Sequence, residues 1–237
     1  MRWIVATLCL FSQAVSADEA QIREAIQGIN PSIAIRSVTA VAGAPFFEVR
    51  LSSGERIYTN AEGTHFVAGD LYEVAAGGVR NLTDLGRRDD RNALLANLSD
   101  EDLLVFSPTG PVAHRLLVFT DIDCGYCRKL HSEIESLLEN GVEVRYAAFP
   151  RAGIGSESYD KYVSVVCAAD PHTAMTEAKR GNDPDRASCD NAVADQFRLG
   201  QQLGITGTPT LIFESGEMQP GYAPWDELLK RMKQSGS

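Results

Sequence analysis

The sequence is poor in positive charge and, beyond its first residues, lacks any long apolar run. It contains 22 Lys and Arg against 32 Asp and Glu, which gives a formal net charge of -10. Because phosphate binding needs clustered Lys and Arg, this balance argues against nucleic acid as the main partner. No later stretch is apolar over the roughly 20 residues that a membrane-spanning helix requires. Internal repeats and low-complexity tracts are also lacking, which leaves a globular protein of one large domain or two modest ones.

The N-terminus has the pattern of a signal peptide. Arg2 supplies a positive charge, residues 3–11 form a short apolar run, and Val15-Ser16-Ala17 offers small residues for cleavage. An uncleaved anchor or a buried helix is the alternative. We expect residues 1–17 to be a signal peptide and the exported mature chain to begin near Asp18.

Cysteine is scarce, and its count is informative. Cys9 lies in the predicted signal peptide, which leaves Cys124, Cys127, Cys167 and Cys189. An even number in an oxidising compartment suggests two disulfide-capable pairs, with several connectivities open. Spacing favours the two neighbours as one pair and the two distant residues as the other. A bridge between the distant two would contribute about 3 kcal/mol on the chain-entropy model; a second redox pair is the alternative.

Residues 18–78 predict a small module of one helix followed by an antiparallel sheet. Apolar residues recur at helical spacing over 18–29, and alternating runs then predict strands at 47–51, 56–60 and 65–74. A core of this size is marginal, and the module has no cysteine to strengthen it. Dimerisation through an open sheet edge would solve this problem. Packing against the second domain of the same chain is the alternative.

The rest of the chain predicts a helical linker and a larger α/β domain. Residues 79–100 are mostly polar, with three leucines at helical spacing that predict a linker helix. Over 101–237, buried strands alternate with amphipathic helices. Strands are expected at 116–119, 142–149 and 210–213, and helices at 127–138, 159–169, 173–179, 192–203 and 225–233. The predicted fold class is therefore α+β for the small module and α/β for the larger domain.

Cys124 and Cys127 stand where a buried strand pattern gives way to a helical one. The first turn of a helix carries unpaired N–H groups and partial positive charge, which stabilise a thiolate. The thiolate is the nucleophile of disulfide exchange. We expect Cys124, nearer the solvent, to attack substrates, and Cys127, one turn inward, to resolve the mixed disulfide. The residues between them, Gly125 and Tyr126, are expected to contact the substrate.

Charged neighbours of this pair both favour and oppose the thiolate form. Asp121 and Asp123 would repel a thiolate, whereas three basic residues would favour it, namely Arg128, Lys129 and His131. Half of a zinc site and a purely structural disulfide stay open as other functions of the pair. Zinc modules with four cysteines usually repeat the CxxC, and so short a ring gives little loop-closure stability. Redox chemistry without a metal or cofactor is therefore favoured.

Thr208 and Pro209 lie between a predicted helix and a predicted strand. Proline in a sheet pattern is out of place unless it makes a special turn, and a cis X-Pro bond is the usual kind. Beside a strand–CxxC–helix unit, such a turn would offer the backbone of Thr208 to an extended substrate. Both residues are therefore candidates for substrate binding.

The string FTDIDCGYC from Phe119 to Cys127 carries a family resemblance, together with the distant cysteine pair and Thr208-Pro209. The chain resembles periplasmic thiol:disulfide isomerases of the DsbC type, in the thioredoxin-like superfamily. The similarity covers the mature chain, more loosely in the N-terminal module. It implies a thioredoxin-like catalytic domain at 101–237 and a V-shaped homodimer joined through the dimerisation domain at 18–78.

The resemblance also assigns roles. It implies that Cys124 is the nucleophile, Cys127 the resolving thiol, Thr208 with Pro209 the cis-proline loop, and Cys167–Cys189 a structural bridge. The implied activity is isomerisation or reduction of non-native disulfides in misfolded exported proteins of the periplasm. A membrane reductase of the DsbD type would keep the dithiol reduced. Three other functions stay open: a disulfide oxidase, a reductase of sulfenic acids on single exported thiols, and a holdase chaperone.

Overall fold

The computed structural model describes residues 11–75, 78–96 and 98–235. The chain forms two compact units, of which the first ends at Thr83 and the second begins at Asp84. Among the described residues, no helix has both the length and the apolar character needed to cross a membrane. The predicted signal peptide, residues 1–17, lies mostly outside the described residues and stays a prediction. The first described helix begins at Phe11.

The first unit is a helix followed by antiparallel strands, as the sequence predicts. A four-stranded sheet has the order β1-β2-β3-β4, and β5 pairs with β6 as a separate hairpin. The elements are α1 (Phe11–Ile29), β1 (Ile35–Ala40), β2 (Phe47–Leu51), β3 (Arg56–Thr59), β4 (Phe66–Ala68), β5 (Tyr72–Ala75) and β6 (Gly78–Asn81).

Two features of this unit differ from the sequence-based expectation. The single strand predicted over 65–74 is two strands, because the chain turns at Gly69, whose φ of 147° is one that favours glycine. Strand β1 was not predicted, since its residues do not alternate strictly between apolar and polar side chains. It nevertheless pairs along its length with β2, which completes the sheet.

The core of the first unit lies between α1 and the sheet. Ile22 and Ile26, one turn apart on α1, are buried with Val49 and Ile57 of the central strands. Gly63 permits the close approach of the β3–β4 turn to the helix: a Cβ there would lie 2.8 Å from that of Ala25. The core remains small, as the sequence predicts.

The second unit contains a mixed five-stranded sheet of order β11-β10-β8-β9-β7. Strands β8 and β9 are parallel, and the other pairings are antiparallel. The strands are β7 (Leu104–Phe106), β8 (His114–Thr120), β9 (Val142–Ala148), β10 (Thr210–Phe213) and β11 (Met218–Pro220). The helices are α2 (Leu82–Leu95), α3 (Gly125–Ser132), α4 (Ile134–Glu139), α5 (Glu157–Val166), α6 (Pro171–Arg180), α7 (Val193–Gln202) and α8 (Trp225–Ser235).

Helices cover both faces of this sheet. Successive residues of β8 point to opposite faces, so Val118 and Phe119 belong to two different apolar clusters. The cluster containing Val118 includes residues of α3 to α8, whereas that containing Phe119 has residues of α2 and α7 packed against it. A sheet covered on both faces explains the continuous apolar run that predicted a buried strand.

The predicted linker, residues 79–100, is divided differently in the structure. Residues 79–81 lie in β6 and pair with β5, and α2 spans the residues that follow. Arg91 of α2 is buried and its Nε donates to the carbonyl oxygen of Gly216, 2.7 Å away, so most of α2 belongs to the second unit. The boundaries predicted at 78 and 100 stay predictions.

The helix predicted over 127–138 is two helices that meet at Glu133. The backbone of Glu133 leaves helical geometry (φ −103°, ψ 7°). The Glu133 carboxylate accepts hydrogen bonds from the Tyr222 hydroxyl and from the backbone N–H of Trp225. These contacts hold the break between α3 and α4 against the start of α8. Periodicity alone did not reveal them, because apolar spacing continues across the break.

Candidate active site

The sheet register brings Cys124 and Thr208 together. Strand β8 leads into the loop that ends at Cys124, which is the N-cap residue of α3. Strand β10 pairs antiparallel with β8, with Thr210 opposite Phe119, so the residues just before β10 reach the same end of the sheet. Cys124 Sγ lies 3.2 Å from the carbonyl oxygen of Thr208. The bond between Thr208 and Pro209 is cis, as predicted.

The two thiols of the CxxC pair are free and lie at different depths. Cys124 is 4% exposed and Cys127 is 1% exposed, so Cys124 is the more accessible of the two. Gly125 and Tyr126 between them are exposed. This arrangement places one sulfur just below the surface and the second deeper behind it.

Hydrogen bonds lower the pKa of Cys124 from 9.0 to about 5. The largest cause is the hydrogen bond from the Cys127 thiol, followed among the lowering effects by the Thr208 side chain; burial acts in the opposite direction. The Thr208 hydroxyl is buried and has no other hydrogen-bond partner within the described residues, so it is free to donate to the thiolate. The positive charge of Arg151 lowers the pKa further. At neutral pH Cys124 is therefore a thiolate, the form that attacks disulfides.

Cys127 has the opposite environment. Burial raises its pKa well above the ordinary value, and its hydrogen bond to Cys124 raises it further, because donating that bond requires the proton. Lys179 and the Thr120 hydroxyl act in the opposite direction. The pair thus carries one proton at neutral pH, and that proton stays on the inner sulfur.

The two carboxylates expected to oppose the thiolate are both paired with cations. Asp121 is buried, and one carboxylate oxygen accepts hydrogen bonds from the backbone N–H of Arg151 at 3.0 Å and from its Nε at 2.9 Å. Asp123 lies 3.1 Å from Arg128 and 3.4 Å from Lys161. Their negative charges are largely compensated, which settles the balance that the sequence left open in favour of the thiolate.

His131 does not support the thiolate, contrary to the sequence-based expectation. It is buried, with Nδ1 3.0 Å from the Tyr146 hydroxyl and Nε2 3.1 Å from that of Thr176. Burial lowers its pKa to about 4, and the charge of Lys179 contributes to the same effect. His131 is therefore neutral at physiological pH and adds no positive charge beside the dithiol.

Two cations near the thiols were missed by sequence reasoning. Arg151 follows β9, and the carboxyl ends of the parallel strands β8 and β9 meet at one edge of the sheet. A residue just after β9 therefore lies close to the loop that carries Cys124, and the topology could have indicated this position for Arg151. Lys179 is buried, on the same face of α6 as Met175 and Ala178. In the sequence, the signal for this position is a lysine that follows a methionine by four residues and so falls within the apolar stripe of a helix.

The other two cysteines form the expected pair. Cys167, at the end of α5, is bonded to Cys189 in the segment before α7, with an S–S distance of 2.00 Å. Because their sulfurs are bonded to each other, they cannot complete a zinc site with the CxxC pair. Across the residues the structure describes, no group of three or more His, Cys, Asp or Glu is placed to hold a metal ion.

An aromatic surface lies beside the thiols. The Tyr126 ring is 65% exposed and stacks on Tyr222, with ring centroids 6.2 Å apart and planes inclined by 20°. The ammonium of Lys129 lies 4.7 Å from the centre of the Tyr222 ring. The predicted contact residue Tyr126 is thus stacked on a second, partly buried tyrosine, and Tyr222 was not foreseen from the sequence.

Comparison with known families matches nearly the whole chain. Residues 101–236 match the model of a thioredoxin-like domain, and residues 13–84 match that of the disulfide bond isomerase protein N-terminal domain. The two matched regions correspond to the two types of domain expected from the sequence.

Individual relatives agree with these matches. The thiol:disulfide interchange protein DsbC of Salmonella typhimurium is 34% identical over 223 residues, covering 93% of this chain and 90% of that protein. The Escherichia coli K12 protein of the same name is 32% identical over 221 residues, with the same coverage. A solved disulfide interchange protein from Neisseria gonorrhoeae is 31% identical, covers 58% of this chain and 98% of its own, and has a TM-score of 0.53.

Proposed function

The chain belongs to the DsbC family of thiol:disulfide interchange proteins and is a thiol–disulfide oxidoreductase; we propose that Cys124 and Cys127 carry out its exchange of disulfides in misfolded exported proteins. The observation that carries this assignment is the position of the two thiols: Cys124 is the N-cap of α3 and lies beside the Thr208 carbonyl, and Cys127 is buried behind it. Cys124, at the N-cap of α3, has a strongly lowered pKa, whereas the pKa of the buried Cys127 is raised. One thiolate and one thiol are the starting state that the reaction needs.

The reaction begins when the Cys124 thiolate attacks one sulfur of a non-native disulfide. A bond forms between Cys124 and that sulfur, and the other substrate sulfur leaves as a thiolate. In isomerisation a substrate thiolate then displaces Cys124, which restores the enzyme with no net change of oxidation state. In reduction Cys127 attacks Cys124 instead, forming the internal disulfide, and its proton leaves with the released substrate thiol.

Substrate binding is proposed for the residues that surround Cys124. The carbonyl oxygen of Thr208 lies beside the attacking sulfur and can accept a hydrogen bond from an extended substrate backbone. Pro209 fixes the position of that carbonyl just before β10. On the other side, exposed Gly125 leaves open space and Tyr126 offers an apolar ring.

Isomerisation requires a reduced dithiol in an oxidising compartment. We place the mature protein in the periplasm, because the N-terminal residues have the signal-peptide pattern. Each reduction of a substrate converts the Cys124–Cys127 pair to its disulfide, so an electron donor must restore it. A membrane reductase of the DsbD type is the partner proposed for this step.

A homodimer is proposed through the first unit. Strand β4 is an edge of its four-stranded sheet, and Phe66 and Val67 on it are 56% and 65% exposed. Unpaired edge strands with apolar side chains favour pairing with another chain. Two thioredoxin-like units would then act on one substrate.

Refolding of a scrambled multi-disulfide protein tests the assignment of the site. The Cys124→Ala variant is expected to lose this activity, because no thiolate remains to attack the substrate. Cys127→Ala is expected to retain part of it, since substrate thiols can still release Cys124, but to accumulate mixed disulfides. Full activity of Cys124→Ala would contradict the proposal.

A further inference from the structure

Lys179 is a buried cation that the mechanism above does not use. It is 4% exposed, and its Nζ donates to the Thr120 hydroxyl oxygen at 2.7 Å and to the carbonyl oxygen of Asp121 at 3.0 Å. Neither acceptor carries a charge. Within the part of the chain that the structure describes, no carboxylate lies within ion-pair distance of Lys179. Burying an ammonium without a counter-ion is costly, which suggests that a nearby group makes use of its charge.

The direction of the hydrogen bonds points from Lys179 to Cys127. An ammonium can only donate, so Thr120 Oγ1 accepts from Lys179 and its own hydrogen is left for another acceptor. The side chain of Thr120 lowers the pKa of Cys127, as a hydroxyl that donates towards the sulfur does. Lys179, Thr120 and Cys127 therefore form a chain in which each donor stabilises negative charge on the Cys127 sulfur.

The charge of Lys179 acts on Cys127 directly as well. It lowers the pKa of that thiol, and burial lowers the pKa of Lys179 itself to about 8. At neutral pH the lysine is thus mostly an ammonium. The other titratable or charged groups that interact with these two residues lie on several elements: Asp121, Cys124, Arg128, His131, Tyr146, Arg151 and Tyr162.

We propose that Lys179 is a positioning residue for the resolving step, and that its charge, relayed by the Thr120 hydroxyl, favours attack of Cys127 on the mixed disulfide at Cys124. The inference rests on the proposed role of Cys127 as the resolving thiol. In this step the Cys127–Cys124 bond forms, the bond between Cys124 and substrate breaks, and the Cys127 proton leaves with the substrate thiol. Lys179 therefore sets how often a substrate is reduced rather than isomerised.

The size of the effect follows from the electrostatics of thiols. An opposite charge within a few ångströms shifts a pKa by about 1–3 units. If Lys179→Met raises the pKa of Cys127 by about two units, its thiolate at pH 7 becomes about a hundredfold rarer. The remaining thiolate is about tenfold more nucleophilic, because nucleophilicity rises with pKa. The resolving step should therefore slow by about tenfold at pH 7, and by less above about pH 8, where Lys179 of the wild-type protein loses its charge.

Reaction of the reduced protein with 5,5′-dithiobis(2-nitrobenzoate) separates the two thiols. Attack by Cys124 releases the first coloured thiolate, and attack by Cys127 on the resulting mixed disulfide releases the second. Stopped-flow measurement between pH 5 and 9 gives the rate of each phase. Lys179→Met is expected to slow the second phase about tenfold at pH 7. It should change the first phase much less, because Cys124, with a pKa of about 5, is already a thiolate at that pH.

Three further variants make the test decisive. Thr120→Val should slow the second phase as well, and the double variant should be slowed by less than the product of the two single effects, because Lys179 acts in part through Thr120. Lys230→Met, the same substitution on the exposed face of α8, should change neither phase. If Lys179→Met does not fold, Thr120→Val carries the test.

Each contrary result overturns a different statement. A second phase with the wild-type rate and pH dependence would refute the role of Lys179 if found in Lys179→Met, and the relay through the Thr120 hydroxyl if found in Thr120→Val. Equal slowing of both phases at every pH would indicate a purely structural role and would also refute it. Release of both thiolates by Cys127→Ser would instead refute Cys127 as the resolving thiol, and with it the mechanism proposed above.

Discussion

The sulfur of Cys124 lies 3.2 Å from the carbonyl oxygen of Thr208, although 84 residues separate them in the sequence. The antiparallel register of β8 and β10 produces this contact, because Thr210 lies opposite Phe119. In the proposed reaction, a substrate cysteine bonded to Cys124 would therefore lie beside the backbone that precedes β10. The proposed chemistry and the proposed substrate binding thus depend on one pairing of strands.

The low pKa of Cys124 predicts its reactivity at acidic pH. The alkylation rate of reduced protein by iodoacetamide should rise with a midpoint near pH 5, because the thiolate is the reacting form. Arg151→Met should shift the midpoint upward, since the positive charge of Arg151 favours the thiolate. A midpoint near the free-thiol value of about 8.5 in the wild-type protein would contradict the site described here.

The lowered pKa of His131 predicts that the second unit loses stability in acid. This pKa is lowered from 6.5 to about 4 in the folded state, so the folded state resists protonation and the unfolded state does not. This stabilisation is complete above pH 6.5 and is lost as the pH falls towards 4. Between pH 7 and 4.5 the free energy of unfolding should fall by about 2–3 kcal/mol from this group.

Denaturant unfolding of the Cys124→Ala protein measures this loss without the titration of Cys124. Adding His131→Phe, which cannot titrate, should flatten the pH dependence over the same range. An equally steep dependence in both proteins would assign the acid sensitivity to other groups.

The Cys167–Cys189 disulfide should contribute stability and not chemistry. It closes a loop with a sequence separation of 22, so its removal should lower the free energy of unfolding by about 3 kcal/mol. Thermal unfolding of the Cys167→Ala/Cys189→Ala protein measures this change. Below its melting temperature the variant should keep the alkylation profile of Cys124, and loss of that profile would contradict a structural role.

Gly200 should not tolerate a side chain. A Cβ at this position in α7 would lie 2.4 Å from a ring carbon of Phe149, so Gly200→Ala should destabilise the unit by about 1–3 kcal/mol. Elsewhere in a helix the same change usually stabilises. Chemical denaturation shows whether the clash or the gain in helix propensity dominates. An unchanged or raised stability would show that the Phe149 ring moves aside at little cost.

The dimer proposal predicts a specific sensitivity of β4. Val67→Asp places a charge on the exposed edge strand and should shift the protein from dimer to monomer in analytical ultracentrifugation. Val112→Asp, at an exposed valine before β8, is the matched control and should leave the mass unchanged. A monomeric wild-type protein, or a dimer that survives Val67→Asp, would argue against this edge as the interface.

The fold could be predicted where periodicity is strong and local. Strands β2 and β10 agree with the sequence-based bounds, because each is a continuous or strictly alternating apolar run between turn residues. The division of the predicted strand at Gly69 and of the predicted helix at Glu133 could not be foreseen. Both depend on contacts with distant residues or on backbone geometry that periodicity does not report.

The site, like the fold, could be predicted from local signals but not from contacts between distant residues. The positions of Cys124, Cys127 and Thr208 followed from a helix start and an out-of-place proline, which are local signals. The charges around them did not, since Arg151 reaches Asp121 only through the pairing of β8 with β9, and burial makes His131 neutral. A pattern in the sequence thus indicates the proposed reacting groups, whereas their protonation is set by tertiary contacts.

The redox state of the Cys124–Cys127 pair in living cells is the most direct test of the proposed function. Thiols can be trapped with a mass-tagged alkylating agent in freshly lysed periplasm, and the number of tags separates reduced from oxidised protein. A mostly reduced pair, with Cys167–Cys189 still oxidised, is the predicted result, because isomerisation begins from a free Cys124 thiolate. A mostly oxidised pair would mean that the protein donates disulfides, and would contradict its assignment as an isomerase.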